Sequence, residues 1–202
     1  EYEAYFREGG SFRVGVYEGE IDNYDVNTST GLSFRVLKGG RMGYAYTEAF
    51  DDAAIQMLIE RASANAAVIE NDDPEFIFGG SPTYAEVSAF DDSLEAIGAP
   101  EKIGMVKRLE TEAKAYSTDI KSVQYCTVLS SSGRIRLANS KGLDLSFRSN
   151  SMAAYLMAQA EVNGCVTTGF DAAVGLKPGE IDIASLAGSA ARRALDKQGA
   201  AT

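Results

Sequence analysis

Apolar residues alternate with other residues in the stretch Phe12-Arg13-Val14-Gly15-Val16-Tyr17, and Glu18-Gly19-Glu20 follows directly. The alternation has the two-residue period of a half-buried β-strand, and the Gly-containing sequence after it predicts a tight turn. Residues 21–28 then predict a second, polar strand. Because a connection this short cannot be a parallel crossover, the stretch predicts an antiparallel meander, which decides the fold.

The alternating pattern continues in the residues that follow this hairpin. Leu32, Phe34 and Val36 alternate with polar neighbours, and Lys38-Gly39-Gly40-Arg41 predicts a hairpin turn into residues 42–47. A second β run begins near residue 123 and continues through residues 143–148, 152–162 and 165–170. In its first strand we expect one face to comprise Val123, Tyr125, Thr127 and Leu129.

Three helices are predicted from apolar residues that recur at three- and four-residue steps. The first is capped by Asp51 or Asp52, and its apolar stripe comprises Ile55, Leu58, Ile59, Ala62, Ala66 and Ile69. The second has Pro100 in its first turn and buries Ile103, Val106, Leu109, Ala113 and Tyr116. The last buries Ile183, Leu186, Ala187, Ala190 and Ala194.

The two halves of the chain resemble each other. Residues 27–35 are similar to residues 139–148, and each stretch precedes a hairpin, a strand ending in Phe-Asp and a helix. This pattern indicates either a duplicated unit or a chance reuse of common turn and strand sequences. Both interpretations give an α+β fold of antiparallel β meanders, each closed by a helix. We predict an N-terminal meander-plus-helix unit at residues 1–70, a linker at 71–99, and a helix, sheet and C-terminal helix unit at 100–202.

Composition excludes several classes of function. The chain contains no histidine and has a formal net charge of −10, so it cannot build a Ser-His-Asp site, a Cys-His site or a His-ligated zinc site. The acidic balance argues against nucleic-acid binding, and no apolar run is long enough to predict a membrane span. Two cysteines without CxxC spacing indicate free, half-buried thiols in a cytoplasmic protein.

Three arginines are the candidate contact residues. Arg134, Arg136 and Arg148 fall on the polar faces of neighbouring predicted strands, where they can receive the carboxylate of a peptide or of a partner protein. Cross-strand pairing with Asp or Glu is the simpler interpretation.

No catalytic, cofactor-binding or metal-ligating residue is predicted. Ser130-Ser131-Ser132-Gly133 offers hydroxyls, and Lys141 is a conceivable base for them. We nevertheless expect a solvated loop there. The acidic pairs lie where helix caps and loop charges are common.

Five ordered stretches carry a family resemblance. They are residues 14–21, residues 31–47, Leu137-Ala138-Asn139-Ser140-Lys141-Gly142-Leu143, Thr168-Gly169-Phe170-Asp171 and Ala191-Arg192-Arg193-Ala194-Leu195. With them, the chain resembles the TldD/PmbA family of peptide-maturation proteins, also described as modulators of DNA gyrase. The second half is more similar to the PmbA (TldE) branch.

The resemblance implies the N-terminal, non-catalytic part of a metallopeptidase subunit involved in proteolysis or maturation of unfolded peptides. Such a part would enclose the peptide and pair with a TldD-type subunit or with itself as a dimer. The family's zinc site, an HExxxH helix with a Cys ligand, belongs to the TldD-type subunit and lies C-terminal to the matched region. We therefore expect no cofactor in this segment, and expect the chain to be part of a longer protein.

Two other hypotheses stay open. The chain could be a stand-alone interaction module that regulates a partner without proteolysis, or a hydrolase that uses Asp and Glu side chains. In the family-based hypothesis, sheet edges would hold an extended peptide by strand addition.

Overall fold

The structure is a computed structural model that describes residues 1–70 and 73–199. Six strands form one antiparallel sheet in the order β3-β2-β1-β4-β5-β6. The strands are β1 (Tyr2–Tyr17), β2 (Glu20–Lys38), β3 (Arg41–Thr47), β4 (Ile120–Asn139), β5 (Asp144–Val162) and β6 (Cys165–Gly175). The helices are α1 (Asp52–Val68), α2 (Asp92–Glu95), α3 (Ala99–Ala115) and α4 (Ile183–Leu195). The predicted α+β class is confirmed.

Each meander consists of three consecutive strands followed by a helix. The ladder between β2 and β3 runs from Leu32 opposite Thr47 to Lys38 opposite Arg41. The ladder between β5 and β6 runs from Met152 opposite Gly175 to Val162 opposite Cys165. The short helix α2 lies within the segment that the sequence predicts as a linker.

Contacts between Cα atoms divide the chain into two interleaved units. The first comprises Glu1–Gly9, Thr28–Ser88 and Gly133–Ser149, and the second comprises Gly10–Asn27, Ala89–Ser132 and the chain from Asn150 onwards. The units interleave because the four long strands each contribute residues to both. The predicted boundaries at residues 70 and 100 stay a prediction.

In the first unit, helix α1 packs on strand β3. Asp51 caps the helix, since its side chain accepts a 2.9 Å hydrogen bond from the backbone N–H of Ala54. The buried helix residues are Leu58, Ala62 and Ala66. They belong to the apolar stripe predicted from the sequence.

In the second unit, α3 packs on α4, and α4 packs on β6. Burial of an apolar side chain contributes about 1.5–3 kcal/mol, so the fully buried Val106, Leu109 and Leu156 each stabilise this unit by about that amount. Helix α4 buries every residue of its predicted stripe. Asp182 caps it through a 3.1 Å hydrogen bond from the N–H of Ser185.

The likeness of the two halves extends to their packing. A Cβ atom at Gly43 of β3 would lie 2.0 Å from the backbone oxygen of Ala62, and one at Gly169 of β6 would lie 2.2 Å from that of Ala190. Helices α1 and α4 thus approach their strands at a glycine in each half. Only a residue without a side chain fits at these two positions.

The predicted face of β4 is wrong at Tyr125. This residue has a left-handed backbone (φ 51°) and is 69% exposed, whereas Cys126, Thr127 and Val128 are all buried. The left-handed backbone inside the strand and the odd spacing from Val123 to Cys126 indicate a β-bulge at Tyr125. Sequence alternation alone did not indicate this bulge.

A buried carboxylate holds the turn between β1 and β2. Glu110 of α3 is 3% exposed, and its Oε2 accepts a 2.8 Å hydrogen bond from the backbone N–H of Gly19. Its Oε1 lies 3.2 Å from Lys114 Nζ, which also lies 3.0 Å from Glu18 Oε2. Burial alone would lower the pKa of Lys114, but the two carboxylates raise it. The ammonium therefore stays charged and balances the buried carboxylate.

The two cysteines differ in environment, contrary to the expectation that both are half-buried. Cys165 is exposed, whereas Cys126 is buried and its Sγ donates to the backbone oxygen of Val106 at 3.6 Å. Burial, assisted by the charge of Glu110, raises the pKa of the Cys126 thiol to about 12. The unfolded chain loses this proton near the ordinary thiol pKa of about 8.5.

We expect Cys126 to make the free energy of unfolding fall as the pH rises from about 9 to about 12. In that window the unfolded thiol is ionised and the native thiol is not, so the loss reaches about 1.4 kcal/mol per pH unit. Urea unfolding at several alkaline pH values will measure it. Cys126→Ala should flatten this part of the profile, and Cys165→Ser should not. An identical alkaline slope in Cys126→Ala and wild type would contradict the assignment.

Candidate functional site

The three predicted arginines all lie in the first unit, and two of them make cross-strand ion pairs. Arg134 Nε lies 3.2 Å from Glu8 Oε1, and its guanidinium lies 5.8 Å from the ring centroid of Phe6. Arg136 binds Asp144 through two hydrogen bonds, of 2.9 and 2.7 Å.

These contacts limit what the arginines can recognise. Asp144 raises the pKa of Arg136, and Arg136 lowers that of Asp144 through their hydrogen bonds. An incoming carboxylate would therefore have to displace Asp144 from the guanidinium fork. Arg148 on β5 is exposed and also has a contact of its own. Their role in peptide or partner binding stays a prediction.

An open sheet edge lies in the second unit. The ladder of β2 with β3 begins only at Leu32, so within residues 1–70 and 73–199 no strand flanks the outer side of residues 20–27. All eight of these residues are exposed. We call them the open edge. Its backbone N–H and C=O groups can accept another strand.

The side chains of the open edge are acidic and aromatic. Glu20, Asp22 and Asp25 carry negative charge, while Tyr24 and Val26 are 50% and 60% exposed. Acidic residues on an edge oppose pairing of the edge with a second copy of itself. They favour a strand that carries positive charge.

A groove of about 360 Å³ adjoins this edge. Asp22 and Asn23 of β2 contribute to it, together with Arg13 on β1 and residues around the Tyr125 bulge. The bulge brings the exposed Tyr125 ring to the groove, where Tyr17 and Tyr155 also lie. Aromatic rings with a polar end suit the side chains of a peptide.

The residues present do not fit a catalytic metal. The chain has no histidine, and within the part of the chain that the structure describes no three Cys, Asp or Glu side chains converge on a possible metal position. Metallopeptidase zinc sites need three protein ligands and an open position for water. No step of metal chemistry is therefore assigned to this chain.

Sequence reasoning missed a polar cluster around Ser130. Ser130, Ser131 and Ser132 lie within β4, not in the predicted solvated loop. The lysine beside them is Lys102, whose Nζ donates a 2.8 Å hydrogen bond to Ser130 Oγ, whereas Lys141 pairs with Glu1 at 3.1 Å. The only sequence signal was the row of serines, since the lysine that approaches them comes from another element.

Comparison with known protein families identifies the family of the chain. The family described as "PmbA/TldA metallopeptidase domain 1" matches residues 2–66, and the "PmbA/TldA metallopeptidase central domain" matches residues 92–198. This chain belongs to the PmbA/TldD family. The resemblance found in the sequence is confirmed at the level of the family. The PmbA (TldE) branch stays a prediction.

Solved structures share the fold. A candidate modulator of a DNA gyrase from Thermotoga maritima, TM0727, superposes with a TM-score of 0.88 at 23% identity, over 100% of this chain and 45% of that chain. TldE from Thermococcus kodakarensis gives 0.85 at 16% identity, over 96% and 44%. A candidate modulator of DNA gyrase from Bacteroides thetaiotaomicron, BT3649, gives 0.79 at 13% identity, over 97% and 45%. At these identities the likeness establishes the fold.

This PmbA/TldD-family chain thus spans less than half the length of those three proteins. Among curated protein sequences, none matches it significantly. Of the helices that the structure describes, none combines the length and apolar character needed to cross a bilayer.

Proposed function

We propose that this chain is the N-terminal, non-catalytic part of a TldD/PmbA-type metallopeptidase subunit, and that it holds extended, unfolded peptides for cleavage elsewhere. Family membership supports the link to proteolysis. The lack of histidine supports the non-catalytic role. The observation that carries the proposal is the open edge, because an edge with free backbone groups can bind a peptide of almost any sequence.

The peptide would add a strand beside residues 20–27. Backbone hydrogen bonds would supply affinity, and the groove at Tyr125 would receive alternate side chains of the peptide. Folded proteins would be poor ligands, because their strands are already paired. This selectivity fits a component that acts on unfolded chains.

Subunit pairing is the second part of the proposal. We propose that the chain pairs with a TldD-type subunit, which supplies the zinc site, or with a second copy of itself. The two PmbA/TldA metallopeptidase domains found here support it, since this chain has no histidine with which to bind zinc. Co-purification with an HExxxH-containing protein of the same family would test it. A monomer that captures no such protein would favour the stand-alone interaction module.

Two proline substitutions at adjacent positions test peptide binding by the open edge. Successive residues of a strand direct their N–H groups to opposite sides, so one of Asp25→Pro and Val26→Pro removes an outward N–H while the other breaks the ladder with β1. We expect the variant that loses an outward N–H to bind a fluorescein-labelled (Lys-Thr)6 peptide about tenfold more weakly, with little loss of stability. The variant that breaks the ladder with β1 should have a lower melting temperature.

The two variants serve as controls for each other, with fluorescence anisotropy and thermal melting measured on both. A labelled (Glu-Thr)6 peptide should bind more weakly than the basic peptide, because the edge is acidic. Unchanged affinity for (Lys-Thr)6 in both proline variants would exclude the open edge as the binding site.

A further inference from the structure

A second cleft, of about 250 Å³, lies in the second unit. It is formed by β1, β4 and β5 together with α2 and α3, and serine hydroxyls from three strands line it. Two side chains of opposite charge face it, Glu95 of α2 and Lys102 of α3. We call it the serine cleft.

Lys102 is fixed by two contacts. Its Nζ donates to Ser130 Oγ at 2.8 Å and lies 5.0 Å from the ring centroid of Phe12. Burial lowers the pKa of Lys102, while the carboxylates of Glu101 and Glu95 oppose this shift. The aromatic ring and the carboxylates both favour the ammonium form. An ammonium has three N–H donors, so those not used by Ser130 can bind an acceptor in the cleft.

Glu95 supplies the negative charge of the same cleft, and it too is held in place. Its Oε1 accepts a hydrogen bond from Ser132 Oγ, which leaves further lone pairs on the carboxylate. Among the residues that the structure describes, no ion pair joins Glu95 to Lys102, although the charge of Glu95 opposes the lowering of the Lys102 pKa. The serines therefore hold a cation and an anion apart across one cleft.

We propose that the serine cleft binds a small zwitterion, a free α-amino acid or a dipeptide. The ligand's carboxylate contacts Lys102, and its ammonium contacts Glu95. A ligand with both charges gives Lys102 and Glu95 each a partner of opposite charge in place of the water that it displaces. A simple anion would pair with Lys102 only and would lie next to the negative charge of Glu95. The volume lies below the roughly 300–1,000 Å³ of drug-sized sites, and the hydroxyl lining suits a polar body.

This inference is independent of the proposed function, because the cleft and the open edge share no residue. A serine nucleophile activated by Lys102 is the competing use of the same pair. It is disfavoured because Lys102 Nζ donates its hydrogen bond to Ser130 Oγ and lies over the Phe12 ring, an arrangement that suits an ammonium group and not a base.

The test uses the whole 202-residue chain labelled with ¹⁵N and titrated with glycylglycine. We expect saturable shifts of the amide signals of Ser130, Ser131, Ser132 and Lys102. N-acetylglycine lacks the ammonium and glycinamide lacks the carboxylate, so each should bind at least about tenfold more weakly. Equal affinity for all three compounds, or no shifts of these amides at saturating glycylglycine, would overturn the proposal.

Matched substitutions separate binding from folding. Lys102→Met and Glu95→Gln should each weaken glycylglycine binding about tenfold or more while the remaining spectrum keeps its native dispersion. Lys107→Met and Glu86→Gln make the same changes at exposed positions outside the cleft, and should bind normally. Normal binding by both cleft variants would contradict the inference. So would covalent labelling of Ser130 by a fluorophosphonate, which would indicate the nucleophile instead.

Discussion

Replacing Gly169 with alanine should lower the free energy of unfolding by about 3 kcal/mol, the upper part of the range for overpacking. The new Cβ would lie 2.2 Å from the backbone oxygen of Ala190 and 2.4 Å from the backbone nitrogen of Ala194. Backbone atoms cannot move aside by changing a rotamer, so α4 must shift away from β6. That shift loosens a core in which Ala190 and Ala194 are fully buried.

Urea unfolding followed by circular dichroism will measure the loss, and Gly104→Ala is the matched control. Gly104 lies in α3, and apart from its own turn of the helix nothing lies within 4 Å of its added Cβ. Its replacement should raise stability by about 0.5–1 kcal/mol, the usual gain of alanine over glycine inside a helix. Gly43→Ala should behave like Gly169→Ala, because α1 approaches β3 in the same way. A Gly169→Ala protein as stable as wild type would refute the close approach.

Replacing Glu110 with alanine should cost about 3–5 kcal/mol, the range for breaking a buried ion pair. The substitution removes the acceptor of the Gly19 N–H and leaves Lys114 with only Glu18. It also opens space beneath the turn between β1 and β2. Glu110→Gln should cost less, because an amide oxygen can still accept from Gly19.

Glu112→Ala is the control on the same helix. Glu112 pairs with the exposed Arg108 at 3.1 Å, and its own side chain is 32% exposed against 3% for Glu110, so its loss should cost less, about 1 kcal/mol. Thermal and urea unfolding of the three variants will rank the effects. Equal losses for Glu110→Ala and Glu112→Ala would show that burial of Glu110 contributes nothing.

Local patterns predicted the elements well because side-chain direction repeats within them. The stripe of α4 from Ile183 to Ala194 is buried as expected, and the turn at residues 18–20 is present, with left-handed backbone at Glu18 and Gly19. These features depend on neighbours in the sequence. The alternation on β4 failed at Tyr125, because a bulge depends on strand pairing that the sequence does not show.

The candidate sites depend on contacts between distant parts of the chain. β1 lies beside β4, which brings Arg134 to Glu8 and the serines of β4 into one cleft with residues of β1. No periodic pattern encodes that neighbour relation. The open edge was predictable only in outline, since its position follows from where the β3 ladder begins. Family resemblance supplied the functional class that residue patterns alone could not.

Residue-resolved amide exchange of the open edge, with and without the (Lys-Thr)6 peptide, tests the central claim most directly. Strand addition predicts slower exchange at alternate amides of residues 20–27, since only every second N–H faces the added strand. It also predicts that this chain alone leaves the peptide intact. Bound peptide with unchanged exchange along residues 20–27, or cleavage of the peptide by the isolated chain, would contradict the account.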